Sequence, residues 1–172
     1  MQLMNPSDAE LLDAVETELQ QLRTMLRDPV VADSLSSAII AKLTGKATAR
    51  DRMQAAKVAS VMLEVGDPLR AGSLFQQLIE LDPAEPYYRT GRGQAHLRAG
   101  EPQAAVMRFD EAIALDGSQA EAYLGRGEAR MQLDRTGEAF DDFEKVVELE
   151  PESTFAQLAL VLLGRGGGTP VA

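Results

Sequence analysis

The sequence predicts an all-α protein: an α-solenoid of three helix–turn–helix units, preceded by a helical hairpin and followed by a capping helix. Three observations predict it. Residues of matching character recur at one fixed interval along most of the chain. The apolar fraction is 45% but aromatics are only 5%, with no tryptophan. A core without rings is built from aliphatic side chains, and Ala and unbranched side chains lose least on entering a helix. Gly, Pro and Asp fall where helices of that length must stop.

The recurrence fixes the units. Phe75, Phe109 and Phe143 are each 34 residues apart, and so are Ala71, Ala105 and Ala139, and Leu81, Leu115 and Leu149. Turn signals keep the same register at Gly66, Gly100 and Asp134, and again at Pro83, Gly117 and Pro151. Five columns in one register mark three tandem units over 52–85, 86–119 and 120–153. In the third unit Ala120–Leu133 forms the first helix, Asp134 and Arg135 begin the turn, and Gly137–Leu149 forms the second. Small residues at Ala59, Gly93 and Gly127 let the paired helix come close, and the Phe column fills the space between units. One unit cannot bury its own apolar face, whereas stacked neighbours can.

The flanks read as helical too. Over residues 7–27, Ser7 and Glu10 have capping-box spacing, and Leu12, Val15, Leu19, Leu22 and Leu26 alternate gaps of three and four. Asp28-Pro29 breaks this helix; a second runs over Val30–Leu43 and stops at Thr44-Gly45. The resulting hairpin, residues 1–45, is expected to pack on the first unit as a cap. It could instead supply a dimer seam or lie in the array's own groove. Thr154–Leu163 reads as a short solvating helix, and residues 164–172 as a flexible Gly-rich tail.

The period, the helix order and the small-residue, Gly, Ala, Phe and Pro positions resemble the tetratricopeptide repeat (TPR) family. The likeness is strongest in AEAYLGRGEARMQLDRTGEAFDDFEKVVELEPES and weakest at the start of the first unit, where Ala55 stands in a column that is usually a large aromatic. Arg92 and Arg126 occupy a column that is usually Leu, and His96 and Arg130 one that is usually Tyr. Either their stems lie along the helix interface with heads at the edge, or they form Arg–carboxylate pairs that fix the angle between units.

The resemblance implies a concave face lined by the first helix of each unit. The columns that would face it include Met53/Tyr87/Glu121, Ala56/Thr90/Leu124, Ser60/Gln94/Glu128, Leu63/Leu97/Met131 and Glu64/Arg98/Gln132. Leu63, Leu97 and Met131, with Met53, Tyr87 and Leu124, would form an apolar trough; Gln94, Arg98 and Glu128 would set its polarity. Such a trough suits an extended segment or an amphipathic helix, and Leu97→Asp is expected to abolish partner binding. Arrays that clamp the acidic tails of heat-shock chaperones carry Lys, Asn and Arg on this face. Here Ala56, Ser60, Thr90, Gln94, Leu124 and Glu128 stand there instead, so a carboxylate-ended ligand is not expected.

Other chemistry is hard to assemble. There are 27 acidic and 17 basic residues, for a formal net charge of −10, which disfavours nucleic acid and anionic membranes as partners. Cysteine is absent, removing thiol chemistry and thiolate metal sites. No signal peptide or membrane span is legible, and a cytoplasmic location is expected. His96 is the only histidine and lies within a unit, so no catalytic triad forms. Asp141, Asp142 and Glu144 read as a solvated helix face rather than a metal site. Gly91-Arg92-Gly93 and Gly125-Arg126-Gly127 recur with the repeat and read as packing positions rather than phosphate loops.

The expected function is therefore a non-enzymatic protein-interaction module, without cofactor or metal, gripping a protein segment in its concave groove. One alternative is a chaperone resembling the translocator chaperones of type III secretion, suggested by Tyr88-Arg89-Thr90-Gly91 shortly after LDPAEP. Another is a homo-oligomeric assembly subunit, with homodimerisation through the N-terminal helices.

Overall fold

The computed structural model describes residues 6–164, with side chains from Leu12 onward. The side chains of Ser7 and Glu10, and residues 165–172 of the expected tail, lie outside the described part. Among the described residues there is no strand, and nine helices follow in order: α1 (Pro6–Leu26), α2 (Pro29–Leu43), α3 (Ala49–Glu64), α4 (Pro68–Leu81), α5 (Pro86–Arg98), α6 (Pro102–Leu115), α7 (Ala120–Gln132), α8 (Thr136–Leu149) and α9 (Thr154–Leu162). The helices from α3 to α8 pack in consecutive pairs, and each second helix packs on the first helix of the next pair. This is the all-α solenoid that the sequence predicts.

Local chemistry sets the helix ends. Pro68, Pro86 and Pro102 open α4, α5 and α6, where a proline's fixed φ suits the helix and its missing N–H is not needed. The three turn residues all adopt left-handed backbone: Gly66 at φ 86°, Gly100 at 77° and Asp134 at 59°. Each closes the same pair of bonds. The amide after the turn residue donates five residues back (Asp67 to Met62, Glu101 to His96, Arg135 to Arg130), and the turn residue donates to Leu63, Leu97 or Met131. The first unit departs from the register at its start. Helix α3 begins at Ala49, because the Thr48 hydroxyl accepts from the Asp51 amide and the Asp51 carboxylate accepts from the Thr48 amide.

The core is a file of buried rings seated on small residues. Phe75, Phe109 and Phe143 are fully buried (0% exposed). A Cβ added at Gly93 would lie 2.7 Å from the Phe109 ring, and one at Gly125 2.4 Å from it. Phe109 is thus gripped by the first helix of its own unit and that of the next. Phe75 meets Gly91 in the same way, and Phe143 meets Gly127. In the first unit Ala59, also 0% exposed, stands one interval before Gly93. At the far end Ala159 of α9 stands one interval after Gly125, buried in one cluster with Phe143. Helix α9 therefore packs on α8 in the place that a first helix takes in the units before it.

The Arg column behaves differently in the two units that carry it. Arg126 donates to Asp142 of its own unit at 2.6 Å and to Asp110 of the preceding unit at 2.6 Å. Arg130 donates to the same Asp142 at 2.7 Å, and Arg126 also lies over the Tyr123 ring. Asp142 is only 2% exposed, which corrects the expectation of a solvated acidic face there: two guanidinium groups offset its burial cost. One interval earlier Arg108 replaces the Asp and Gln76 stands in place of Asp110. Among the described residues Arg92 accordingly has no carboxylate within ion-pair distance; burial and the nearby Arg108 charge depress its pKa.

The N-terminal hairpin packs on the first unit, α1 along α3 and α2 on α3 and α4. Leu26, Ala32 and Leu43 are buried in the same cluster as Ala55, Ala59 and Met62. Ion pairs join the two parts: Arg23 with Glu64 at 2.8 Å, Lys42 with Asp51 at 2.5 Å and Arg70 with Asp33 at 2.7 Å. The apolar seam of α1 is only half used. Leu19 and Leu22 are partly buried against the core, whereas Leu12 and Val15 are exposed.

Candidate functional site

The first helices of the units, α3, α5 and α7, stand side by side with α9 beyond them, and together they line a groove of about 460 Å³. Helix α3 contributes Ser60, Leu63 and Glu64; α5 contributes Tyr87, Gly91, Gln94 and Arg98; α7 contributes Glu121, Leu124 and Glu128; α9 contributes Thr154, Phe155 and Leu158. Phe75 forms part of the lining, with Tyr87 edge-on to it at 6.2 Å between centroids. The walls are held from behind. The Ser60 and Tyr87 hydroxyls are hydrogen-bonded at 2.8 Å, and Arg98 donates to the Leu63 carbonyl at 3.0 Å, tying α5 to the end of α3.

The groove's electrostatics are set by α7. Glu121, Leu124 and Glu128 share one stripe of that helix by their spacing of three and four. Burial pushes the Glu121 carboxyl above its ordinary pKa. Burial also raises Glu128, with the Arg98 charge drawing it partly back. Among the described residues no hydrogen bond or ion pair holds either carboxylate, whereas Glu64 at the other wall is paired with Arg23.

Of the nine residues expected on the concave face, Leu63, Tyr87, Gln94, Arg98, Leu124 and Glu128 line this groove. Met53, 72% exposed, lines a neighbouring hollow of about 610 Å³ between α1, α3 and α5, which shares Ser60, Glu64 and Tyr87 with the groove. Leu97 is 8% exposed and packs with Ala105, Val106 and Phe109, turned toward the second helix of its own unit. Met131 is 39% exposed and lies off the groove; its counterpart one interval on is residue 165, beyond the end of α9. No described residue of α1 or α2 lines the groove, although Leu19 borders the neighbouring hollow.

Phe155 and Leu158 were not expected there. The signal existed: Phe155 continues the column Met53/Tyr87/Glu121, and Leu158 continues Ala56/Thr90/Leu124, each by one further interval. No three acidic or histidine side chains are placed to hold a metal among the described residues. No helix among them is long and apolar enough to cross a membrane.

A tetratricopeptide repeat model matches residues 59–108 and 90–154, together more than half of the sequence. The chain belongs to the tetratricopeptide repeat family. No curated protein matches it by sequence. Among solved structures, this TPR chain is similar to the first TPR domain of human RPAP3, at 28% identity over 67% of this chain and 91% of that one, with a TM-score of 0.61. The first TPR of Spaghetti (RPAP3), solved with the HSP90 peptide SRMEEVD, is 25% identical over 69% of this chain and 97% of that one, with a TM-score of 0.62. The type III secretion translocator chaperone SycD of Yersinia enterocolitica shares the fold at 19% identity and a TM-score of 0.63, covering 70% of this chain and 92% of that one.

Proposed function

We propose that the protein is a non-enzymatic interaction module that binds a segment of a partner protein in the groove between α3, α5, α7 and α9. The groove itself carries this reading: apolar side chains from four helices, Leu63, Tyr87, Leu124, Phe155 and Leu158 among them, converge on one concave surface. The packed Phe–Gly file holds those helices in place before any ligand arrives, so conformational freedom is lost chiefly by the ligand. Peptide-bound TPR neighbours such as Spaghetti (RPAP3) support the same mode of use. The groove contacts are Tyr87, Phe155 and Leu158 over a floor formed by the nearly buried Leu63 and Leu124, with Gln94, Arg98 and Glu128 setting polarity and Met53 extending the surface into the neighbouring hollow.

Leu97→Asp is not the right probe, because Leu97 is buried and an aspartate there would unfold the second unit. Leu158 is 43% exposed and lines the groove. Peptides selected by display against the full chain should lose at least about tenfold in affinity for Leu158→Asp, at unchanged helical content. Unaltered affinity would remove the groove assignment.

Within this reading the N-terminal hairpin caps the array, supported by its packing on α3 and α4. A cytoplasmic location fits the absence of cysteine. An export chaperone holding a hydrophobic client remains a variant of the same reading, supported by fold likeness to SycD alone. A second reading, homodimerisation through α1, is favoured by the exposed Leu12 and Val15. A monomeric solution mass at high concentration, unchanged by Leu12→Asp, would dismiss it.

A further inference from the structure

We infer that the groove selects a cationic segment: an extended stretch with two Lys or Arg side chains flanking an apolar residue. This rests on the groove reading above and goes beyond it by naming the chemistry of the ligand. Glu121 and Glu128 stand on either side of Leu124 along one stripe of α7 and line the groove. A rise of 1.5 Å per residue separates them by about 10 Å along the helix axis. In an extended β-type segment alternate residues share a face and rise about 3.3 Å each, so two cations four residues apart lie about 13 Å apart and their long side chains converge on the two carboxylates, with the apolar residue midway on the same face. The apolar side chain between them meets Leu124 and the exposed Leu158.

Charge decides against the opposite polarity. Neither carboxylate has an ion-pair or hydrogen-bond partner among the described residues. Arg98, the one cation among the described residues lining the groove, is tethered to the Leu63 carbonyl and acts on Glu128 only at longer range. Half-buried carboxylates among apolar side chains are costly until a cation arrives, and burial has already raised both of their pKa values. The net charge of −10 adds long-range attraction for a basic segment and repulsion for an acidic one. The groove is therefore opposite in sign to what a peptide such as SRMEEVD, with its acidic end, requires.

The test is display selection of random ten-residue peptides on the full chain, followed by fluorescence anisotropy of a selected peptide and of SRMEEVD. Enrichment of Lys or Arg around an apolar residue supports the inference. So does a loss on the order of tenfold for the Glu121→Gln/Glu128→Gln form, with affinity falling as salt rises. Selected peptides without basic residues that still lose affinity for Leu158→Asp would overturn the cationic class and leave the groove reading intact. Tight binding of SRMEEVD lost by Leu158→Asp would do the same. A selection that yields no peptide sensitive to Leu158→Asp would overturn both.

Discussion

The same substitution, Gly to Ala, should have opposite signs at two positions of the third unit, and the difference isolates the Phe–Gly file. At Gly127 in α7, a Cβ would stand 2.4 Å from the Phe143 Cε1 atom, 2.8 Å from Cδ1 and 3.0 Å from Cζ. Phe143 is fully buried, so its ring cannot swing out to solvent. Restoring contact near 3.5 Å requires the ring, or α7 against α8, to move by about 1 Å. Overpacking of this kind costs about 1–3 kcal/mol, while Ala in place of a mid-helix Gly returns up to ~1 kcal/mol of helix propensity. The net expectation is a loss of about 1–2 kcal/mol. At Gly137, in the first turn of α8, nothing lies within 4 Å of the added Cβ, so only the propensity gain remains. For a chain of 172 residues each kcal/mol moves Tm by about 2–4 °C. Thermal melts followed by circular dichroism should show Gly127→Ala lower and Gly137→Ala equal or higher. Phe143→Leu removes Cε1 and Cζ, so the double form Gly127→Ala/Phe143→Leu should be more stable than the sum of its parts by ~1 kcal/mol or more. Equal stabilisation at both glycines, or strict additivity in the double form, would refute the interlocked packing.

Four other expectations follow from named contacts. Asp142→Ala leaves Arg126 and Arg130 half-buried without their shared partner and should cost about 3–5 kcal/mol in denaturant unfolding, whereas Gln76→Asp should stabilise by giving Arg92 the carboxylate that Arg126 has in Asp110. Asp134→Gly should stabilise by about 1 kcal/mol, because Asp134 holds φ 59° where Gly66 and Gly100 occupy the matching turns. Glu121→Gln should raise Tm at neutral pH. Burial raises the native pKa of Glu121 above its unfolded value, so the ionised form destabilises the fold, and this penalty fades as pH falls through the native pKa. The difference between the two proteins should shrink below neutrality and vanish below the unfolded Glu value of about 4.3.

Much of this architecture was legible because repetition turns one observation into three. The Phe column, the small residues opposite it and the left-handed turn residues each had to satisfy the same geometry in every unit. Their register alone placed them. What repetition could not convey was where copies of a column meet different surroundings. Leu63 and Leu97 are both nearly buried, yet Leu63 borders the groove while Leu97 packs with Val106 and Phe109 away from it, and Met131 is 39% exposed off the groove. Likewise Arg126 is paired and Arg92 is not, because Asp142 and Asp110 are replaced by Arg108 and Gln76 one interval earlier. The contribution of α9 was readable by carrying the register one interval further, to Phe155, Leu158 and Ala159. The expectation that the hairpin packs on the first unit left its contacts unspecified. They are the burial of Leu26, Ala32 and Leu43 and one-off pairs such as Arg23 with Glu64 and Lys42 with Asp51, outside any repeat.

The most direct measurement is the site of contact itself. Backbone amide shifts of the labelled full chain, followed as a selected peptide is titrated in, should concentrate on Leu63, Tyr87, Gln94, Leu124 and Leu158, with the second helices α4, α6 and α8 largely unmoved. Saturable shifts centred on those second helices, or on α1, would show that the partner grips another face and would contradict the account.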